Sequence, residues 1–222
     1  GTEYTPLHFA IIYGYVRTEI VKALLAAAKD HSDDLLKEML TTTFKDDGKE
    51  YTPLGWAMKK YDTELVQALL TAAKDQPALV KEMLTTTFKE YGIEYTPLHL
   101  AMKWGEIESV NALLAAAKDH SDDLLQEMLT TKLITDDGTE YTTLSLAIAC
   151  DGPEKVQSVL AAAKDHSDDL LQEMLTHRFT GDNGREYTPL HHAIARKNIE
   201  IEVVNALLAA AKDHSDDLLK DM

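Results

Sequence analysis

One segment recurs five times along the chain, and this repetition constrains the fold more than any other feature. The segment Tyr-Thr-Pro-Leu-His returns with few changes every 44 to 47 residues, starting at Tyr4, Tyr51, Tyr95, Tyr141 and Tyr187. A second block, Ala-Ala-Ala-Lys-Asp-His-Ser-Asp-Asp-Leu-Leu, begins at Ala26, Ala115, Ala161 and Ala209. A repeat of this length buries its apolar face only by stacking on its neighbours. We therefore predict one array of five repeats, and no separate domains, with boundaries at 1–47, 48–90, 91–137, 138–183 and 184–222.

The chain is acidic, and its charge argues against several classes of partner. Its 222 residues include 22 lysines and arginines against 38 aspartates and glutamates, a formal net charge of −16. Such a charge repels phosphate backbones and anionic membrane surfaces, so we expect neither nucleic acid nor membrane as a partner. No apolar run reaches the roughly 20 residues of a membrane span, and no signal peptide opens the chain. The one cysteine, Cys150, excludes an internal disulfide, which suits a reducing compartment. We therefore expect the chain in the cytoplasm, and we expect it to be a monomer.

Each repeat reads as three helices followed by a short hairpin, which predicts an all-α solenoid. The elements predicted for repeat 1 are helices over 6–13, 18–30 and 33–40, with strands on either side of a turn at 46–48. Apolar residues at helical spacing mark the expected core of these helices: Leu7, Ala10 and Ile11; Ile20, Val21, Leu24, Leu25 and Ala28; Leu35, Leu36, Met39 and Leu40. The first triplet recurs in every repeat and ends as Leu190, Ala193 and Ile194.

The third repeat carries the clearest resemblance to a known family. Thr96-Pro97-Leu98-His99-Leu100-Ala101 is followed by Gly105, Glu108, Val110, Leu113 and Leu114. This pattern resembles the ankyrin repeat, although the usual ankyrin period is 33 residues and the surplus here falls mainly on the third helix. Repeat 4 has Thr143 and Ser145 in place of proline and histidine, and repeat 2 has Gly55. The chain therefore looks like an α-solenoid of five enlarged ankyrin-like repeats.

The resemblance implies where a partner would bind and what the motif histidines do. In ankyrin arrays the first helix and the hairpin line a concave side that is the usual protein-binding surface. The motif histidines, here His8, His99 and His191, are implied to hydrogen bond to the backbone.

Neither a metal site nor a catalytic site is predicted. His31, His120, His166 and His214 recur once per repeat, and stacked repeats lie about 8–10 Å apart, too far for two of these histidines to share a zinc ion. The acidic turn Asp46-Asp47-Gly48 lacks the alternating oxygens of a calcium loop. Since no nucleophile–base pair or phosphate loop stands out, we expect no enzyme activity, no cofactor and no metal.

The first helix has a second face, opposite the core triplet, that changes in every repeat. If this face were only exposed to solvent, its variable positions would be expected to hold polar residues. It instead carries aromatic residues and unrepeated cations, which are typical of interface anchors. We therefore predict a partner-binding site formed by Phe9, Ile12, Tyr13, Trp56, Lys59, Lys60, Leu100, Lys103, Trp104, His192 and Arg196. Repeats 1–3 are expected to contribute most, because Ala149, Cys150 and Ala195 take the matching positions in repeats 4 and 5.

The function predicted from these residues is recognition of a partner protein through the concave face, without catalysis. The lysines and aromatic residues together favour a partner segment that is acidic and apolar. Two alternatives stay open on sequence alone. Near-verbatim repetition also suits a designed or consensus-built scaffold without a natural ligand. An array that begins within a hairpin turn and ends after a third helix also suits a targeting segment of a larger bacterial effector or toxin enzyme, which would act in the host cytosol.

Overall fold

The structure is a computed structural model that describes residues 4–13, 18–46, 48–150, 152–180, 185–196, 200–214 and 218–222, with the side chains of Asp213 and His214 outside the description. It divides into two compact units, Gly1–His120 and Ser121–Met222, called here the N-terminal and C-terminal units. The division falls inside the third repeat. Residue 47 of the predicted turn at 46–48 lies outside the described residues, as do the matching segment 182–184 and the residues 14–17 and 197–199.

In the N-terminal unit, helix triplets alternate with hairpins as the repeats predict. The elements are α1 (Pro6–Tyr13), α2 (Thr18–His31), α3 (Asp33–Thr41), β1 (Phe44–Asp46), β2 (Lys49–Tyr51), α4 (Pro53–Lys59), α5 (Thr63–Ala73), α6 (Pro77–Thr85), β3 (Phe88–Glu90), β4 (Ile93–Tyr95), α7 (Pro97–Trp104) and α8 (Ile107–His120). Equivalent helices of successive repeats pack side by side, α2 on α5, α5 on α8 and α4 on α7.

The C-terminal unit repeats this order. Its elements are α9 (Asp122–Thr130), β5 (Leu133–Ile134), β6 (Glu140–Tyr141), α10 (Thr143–Ala149), α11 (Pro153–His166), α12 (Asp168–Thr176), β7 (Phe179–Thr180), β8 (Glu186–Tyr187), α13 (Pro189–Ala195), α14 (Ile201–His214) and α15 (Leu218–Asp221). Helix α10 packs on α13, and α11 packs on α14. The three-helix repeat with a short antiparallel hairpin is thus confirmed in both units.

Capping residues start the helices where the sequence predicts them. The hydroxyl oxygen of Thr96 accepts a hydrogen bond from the amide of His99, and Pro97 occupies the first turn, where its missing N–H leaves no donor unsatisfied. Ser32 caps α3 in the same way by accepting from the amide of Leu35 at 3.1 Å. These local bonds fix where each helix begins.

The predicted core is confirmed for most of its residues, with four half-buried and two exposed exceptions. Leu36, Met39 and Leu40 of α3 are buried, whereas the half-buried exceptions are Ala10, Leu24, Leu35 and Leu190. Ile20 and Ile194 were also predicted to be core, but they are 45% and 63% exposed. Helical spacing selects the correct face in each case, but burial also requires an adjacent repeat, and no described residue covers these two side chains enough to bury them.

Gly55 is the point where repeat 2 departs most from the motif, and it makes room for a ring. A Cβ atom at Gly55 would lie 2.5 Å from Cε1 of Phe88, a buried side chain. The equivalent positions hold His8 and His99 in repeats 1 and 3. The aromatic ring of the second hairpin therefore occupies space that an imidazole would otherwise require.

We expect Gly55→Ala to lower stability in spite of the better helix propensity of alanine. That propensity is worth about 1 kcal/mol. Overpacking costs about 1–3 kcal/mol, and a contact of 2.5 Å with a buried ring belongs in the upper part of that range. We therefore expect a net loss of about 1–2 kcal/mol in urea unfolding. The double variant with Phe88→Leu should recover most of the loss, since Leu133 fills the equivalent position in repeat 3. Unchanged stability in the single variant would contradict this account of the glycine.

Candidate protein-interaction site

The predicted binding face of the N-terminal unit is partly exposed and partly buried. Phe9 and Tyr13 are exposed and Ile12 is half-buried, as a binding surface requires. Trp56 and Leu100, however, are only 5% and 2% exposed. The expectation that the whole face is open to a partner is therefore wrong for these two residues.

Trp56 belongs to the interior because the preceding hairpin supplies its partners. Its indole Nε1–H donates to Oδ2 of Asp46 at 3.0 Å, and its ring lies 6.5 Å from that of Phe44. The ammonium of Lys60 is 3.5 Å from the same carboxylate oxygen. Trp56 therefore ties α4 to the hairpin β1–β2 and does not project towards a partner.

A buried carboxylate organises the neighbouring lysines. Glu90, at the end of β3, is 3% exposed, and its Oε1 accepts from Nζ of Lys49 at 2.6 Å and from Nζ of Lys59 at 2.9 Å. Lys49 lies on β2 of the preceding hairpin and Lys59 on α4. One carboxylate thus joins two hairpins and a helix, and neither lysine is a free cation.

These contacts shift the protonation equilibria of the groups involved. Burial alone would raise the pKa of Glu90, but the hydrogen bonds from Lys49 and Lys59 outweigh it and hold the pKa below its ordinary value. The hydrogen bond to Glu90 raises the pKa of Lys49. Burial, followed by the charge of Glu90, raises the pKa of Tyr51. The cluster is therefore ionised as lysines and a carboxylate at neutral pH.

Trp104 lies beside two ammonium groups. Nζ of Lys59 is 3.9 Å from the ring centroid, and Nζ of Lys103 is 4.5 Å from it. Lys103 also donates to the hydroxyl of Tyr95 at 2.8 Å, and the rings of Tyr95 and Trp104 are 5.6 Å apart. Trp104 is only partly buried, so its position is fixed by cation–π contacts while part of its surface still faces solvent.

These contacts form one continuous row across the N-terminal unit. We call this row the cation–aromatic ladder; its members are Lys49, Lys59, Glu90, Tyr91, Tyr95, Lys103 and Trp104. Three lysines alternate with aromatic side chains around one carboxylate. Among the described residues, Lys103 is the ladder lysine that pairs with no carboxylate.

A second aromatic group lies on repeat 1. The ring of Phe9 is 5.7 Å from that of Tyr4 and 5.4 Å from that of Tyr13. Phe9 and Tyr13 are exposed, and successive turns of α1 present them on the same side. This group is apolar where the ladder is cationic.

Sequence reasoning missed four members of the ladder: Lys49, Glu90, Tyr91 and Tyr95. They lie on the hairpins, whereas the search for a variable face followed the first helix. One signal was present in the sequence. The segment between β3 and β4 reads Glu90-Tyr91-Gly92, whereas the matching segments of the other repeats place aspartate or asparagine before the glycine.

The C-terminal unit offers a smaller set of side chains at the predicted positions. Leu146 is buried, and Ala149, Cys150 and Arg196 are half-buried. The ring of His192, itself half-buried, lies 5.2 Å from that of Phe179 and 6.5 Å from that of Tyr141. His192 therefore packs mainly against the rings of hairpin residues.

His8 of the motif and His120 of the repeated block both hydrogen bond to backbone groups. Nδ1 of His8 accepts from the amide of Thr5 at 3.0 Å, and its Nε2 lies 3.1 Å from the carbonyl oxygen of Thr42, so Nε2 carries the proton. The ring nitrogens of His120 are each 2.7 Å from a carbonyl oxygen, those of Ala116 and Lys74. Within the described part of the chain, no group of three or more His, Cys, Asp and Glu side chains is arranged to hold a metal ion.

His177 of the C-terminal unit makes stability depend on pH. Its Nε2 is buried with no hydrogen-bond partner among the described residues, and the ring borders a cavity of about 60 Å³ shared with Lys132 and Glu173. Burial, followed by the charge of Lys132, lowers the pKa of His177 below its ordinary value of 6.5. The unfolded chain therefore binds this proton at a higher pH than the folded chain does.

We expect the free energy of unfolding to fall as the pH drops from about 7 to 5, and to be insensitive to this group above that range. His177→Thr should reduce the slope, because Thr42, Thr86 and Thr131 fill the same position in repeats 1–3. Part of the slope should persist, since burial also lowers the pKa of His8. Urea unfolding across this pH range measures both slopes, and equal slopes would refute the assignment.

The fold and the site together define a class of protein: a helical repeat protein whose first helices and hairpins present unrepeated side chains. The family comparisons agree with this class. A model of "Ankyrin repeats (3 copies)" matches residues 24–124, and an "Ankyrin repeat" model matches residues 2–35 and 185–217. The chain belongs to the ankyrin repeat family, whose members are generally protein–protein interaction modules and typically non-catalytic.

Two further findings accompany the family assignment. None of the curated proteins compared with the chain matches it. In the described residues, no helix is both long enough and apolar enough to cross a membrane.

Proposed function

We propose that this chain binds a partner protein, without catalysis, through the face of the N-terminal unit that carries the ladder and the Phe9 group. The observation that carries the proposal is the partly exposed ring of Trp104, held by Lys59 and Lys103 at 3.9 and 4.5 Å. A side chain held in this way loses little conformational entropy on binding, which is a property of efficient interface anchors.

Charge supports the choice of this unit over the rest of the chain. Residues 48–90 contain six lysines and arginines and six aspartates and glutamates, whereas residues 121–222 contain nine against 20. The ladder contains three lysines and only one carboxylate. An acidic partner segment is therefore repelled least, and attracted locally, at repeat 2.

The proposed binding residues differ somewhat from those predicted by the sequence. Phe9, Ile12, Tyr13, Lys59, Lys103 and Trp104 are proposed to contact the partner, with Lys60 at the margin. Trp56 and Leu100 are proposed to support this surface from below without contacting the partner, because both are buried. His192 and Arg196 are proposed to contribute less, since they lie among smaller side chains in the C-terminal unit.

Amide hydrogen exchange on the full chain tests the face directly. Binders are first selected from a displayed library of random sixteen-residue peptides, and exchange is compared with and without the tightest one. We expect added protection in α1, α4, α7 and the β3–β4 hairpin, and none in the outward parts of α2 and α5. Protection confined to α2, α3, α5 and α6 would place recognition on the opposite side and overturn the proposal.

A further inference from the structure

Tyr91 occupies a backbone conformation that its residue type disfavours. Glu90 pairs with Ile93 across the β3–β4 hairpin, which leaves Tyr91 and Gly92 as a two-residue turn with φ of +52° and +86°. Turns with two positive φ values favour asparagine, aspartate or glycine at the first position. In the sequence, aspartate or asparagine precedes the glycine in the other hairpin segments, at Asp47, Asp137 and Asn183. Tyrosine here works against the local geometry.

Folding gains little from this tyrosine, because its side chain is not buried. Tyr91 is 76% exposed at the tip of the hairpin. A residue that strains the backbone without contributing to the core is a candidate for a function outside the fold.

The ring of Tyr91 is nevertheless held, and it continues the ladder. Nζ of Lys49 lies 3.8 Å from the ring centroid and 2.6 Å from Oε1 of Glu90. The same oxygen accepts from Lys59, whose ammonium lies beside Trp104. Tyr91 and Trp104 are thus the two aromatic ends of one chain of contacts centred on Glu90.

We propose that Tyr91 is a second aromatic anchor of the binding surface, and that the surface takes a partner segment in which carboxylates are flanked by apolar side chains. This inference rests on the proposed function. The ring contacts already involve ammonium groups, so a partner cation would be repelled by Lys49, Lys59 and Lys103. Apolar groups fit the remaining ring surface, and a carboxylate fits Lys103, whose ammonium pairs with no carboxylate among the described residues.

The test uses three displayed libraries of sixteen-residue peptides with equal apolar content, whose other positions are acidic, basic or uncharged. Each is selected against the full chain, and affinities of the best binders are measured for the wild type, Tyr91→Asn, Trp104→Ala and Tyr61→Asn. Asparagine is the residue that repeat 4 places before its turn glycine, so Tyr91→Asn should leave the melting temperature equal or higher. Tyr61 is a matched control, because it is also exposed and has a positive φ of 60°, but it lies between α4 and α5, outside the ladder.

We expect the acidic library to give the tightest binders, and Tyr91→Asn to weaken them by about threefold to tenfold while Tyr61→Asn does not. Tightest binding from the basic or uncharged library would overturn the assigned partner chemistry. An effect of Trp104→Ala without one of Tyr91→Asn would overturn the second anchor and leave the proposed function standing. Binders that respond to neither variant would overturn the proposed function itself.

Discussion

Leu36→Ala is expected to lower the free energy of unfolding by about 2–5 kcal/mol, the range for truncating a fully buried leucine. Leu36 is 0% exposed and lies on α3, which packs on α2, α4 and α6. Removing its side chain leaves a cavity that four packed helices fill only in part. The change therefore tests whether the third helix is integral to the repeat, and urea unfolding measures it.

Leu219→Ala is the matched control, because repeat 5 places the same residue at the equivalent position of its third helix. Leu219 is 39% exposed, so truncating it removes less buried surface and should cost less than half as much. A loss below about 0.5 kcal/mol for Leu36→Ala would show that the third helix is peripheral. Equal losses of unfolding free energy for the two variants would show that burial of the leucine does not set the cost of truncating it.

The repeated architecture was predictable because every repeat carries the same local instructions. Thr52 and Thr96 accept hydrogen bonds from amides in the first turn of their helices, and proline follows each of them. Ser32 caps the third helix in the same manner. Such signals act over three or four residues, so they are readable from sequence without knowledge of the fold.

Exposure on the first helix was not predictable in the same way. Helical spacing places Phe9, Trp56 and Leu100 at equivalent positions, yet Phe9 is 54% exposed and the other two are buried. The difference for Trp56 comes from Asp46 and Phe44 of the preceding hairpin, and repeat 1 has no described hairpin before it. Burial at this position depends on the preceding repeat, which a single-helix pattern does not include.

The ladder was missed for a related reason. Glu90 contacts Lys49 and Lys59, which lie 41 and 31 residues before it in the chain. Residues this far apart meet only after consecutive repeats stack, so no spacing rule within one helix finds them. The sequence identified Lys59, Lys103 and Trp104 as unrepeated residues but could not show that Glu90 neutralises part of their charge.

The partner chemistry predicted from sequence is narrowed by these ion pairs. Counting Lys59, Lys60 and Lys103 as free cations favours a strongly acidic partner. In the structure Lys59 shares Glu90 and Lys60 lies 3.5 Å from Asp46. Fewer carboxylates are then required of the partner, and apolar contact with exposed rings carries more of the binding free energy.

Trp104→Ala is expected to weaken partner binding by about 2 kcal/mol or more, roughly thirtyfold in Kd. The ring supplies apolar contact area, and its loss also frees Lys59 and Lys103 from their cation–π contacts at 3.9 and 4.5 Å. Because Trp104 is partly exposed at the end of α7, the melting temperature should change much less than it does for truncation of the buried Trp56. Calorimetric titration with the library-selected peptide gives Kd, and thermal unfolding gives the comparison.

The contrasting substitution lies on the third helix, away from the ladder. Asp33 and Asp34 occupy the exposed first turn of α3, where they complement the helix dipole. Changing both to asparagine should leave Kd within about twofold of the wild type, since exposed charges remote from an interface contribute little. If the paired aspartate change abolishes binding and Trp104→Ala leaves it intact, recognition lies on the third-helix side. Binding would then depend on the repeated acidic caps, and the variable aromatic side chains of the first helix would require another explanation.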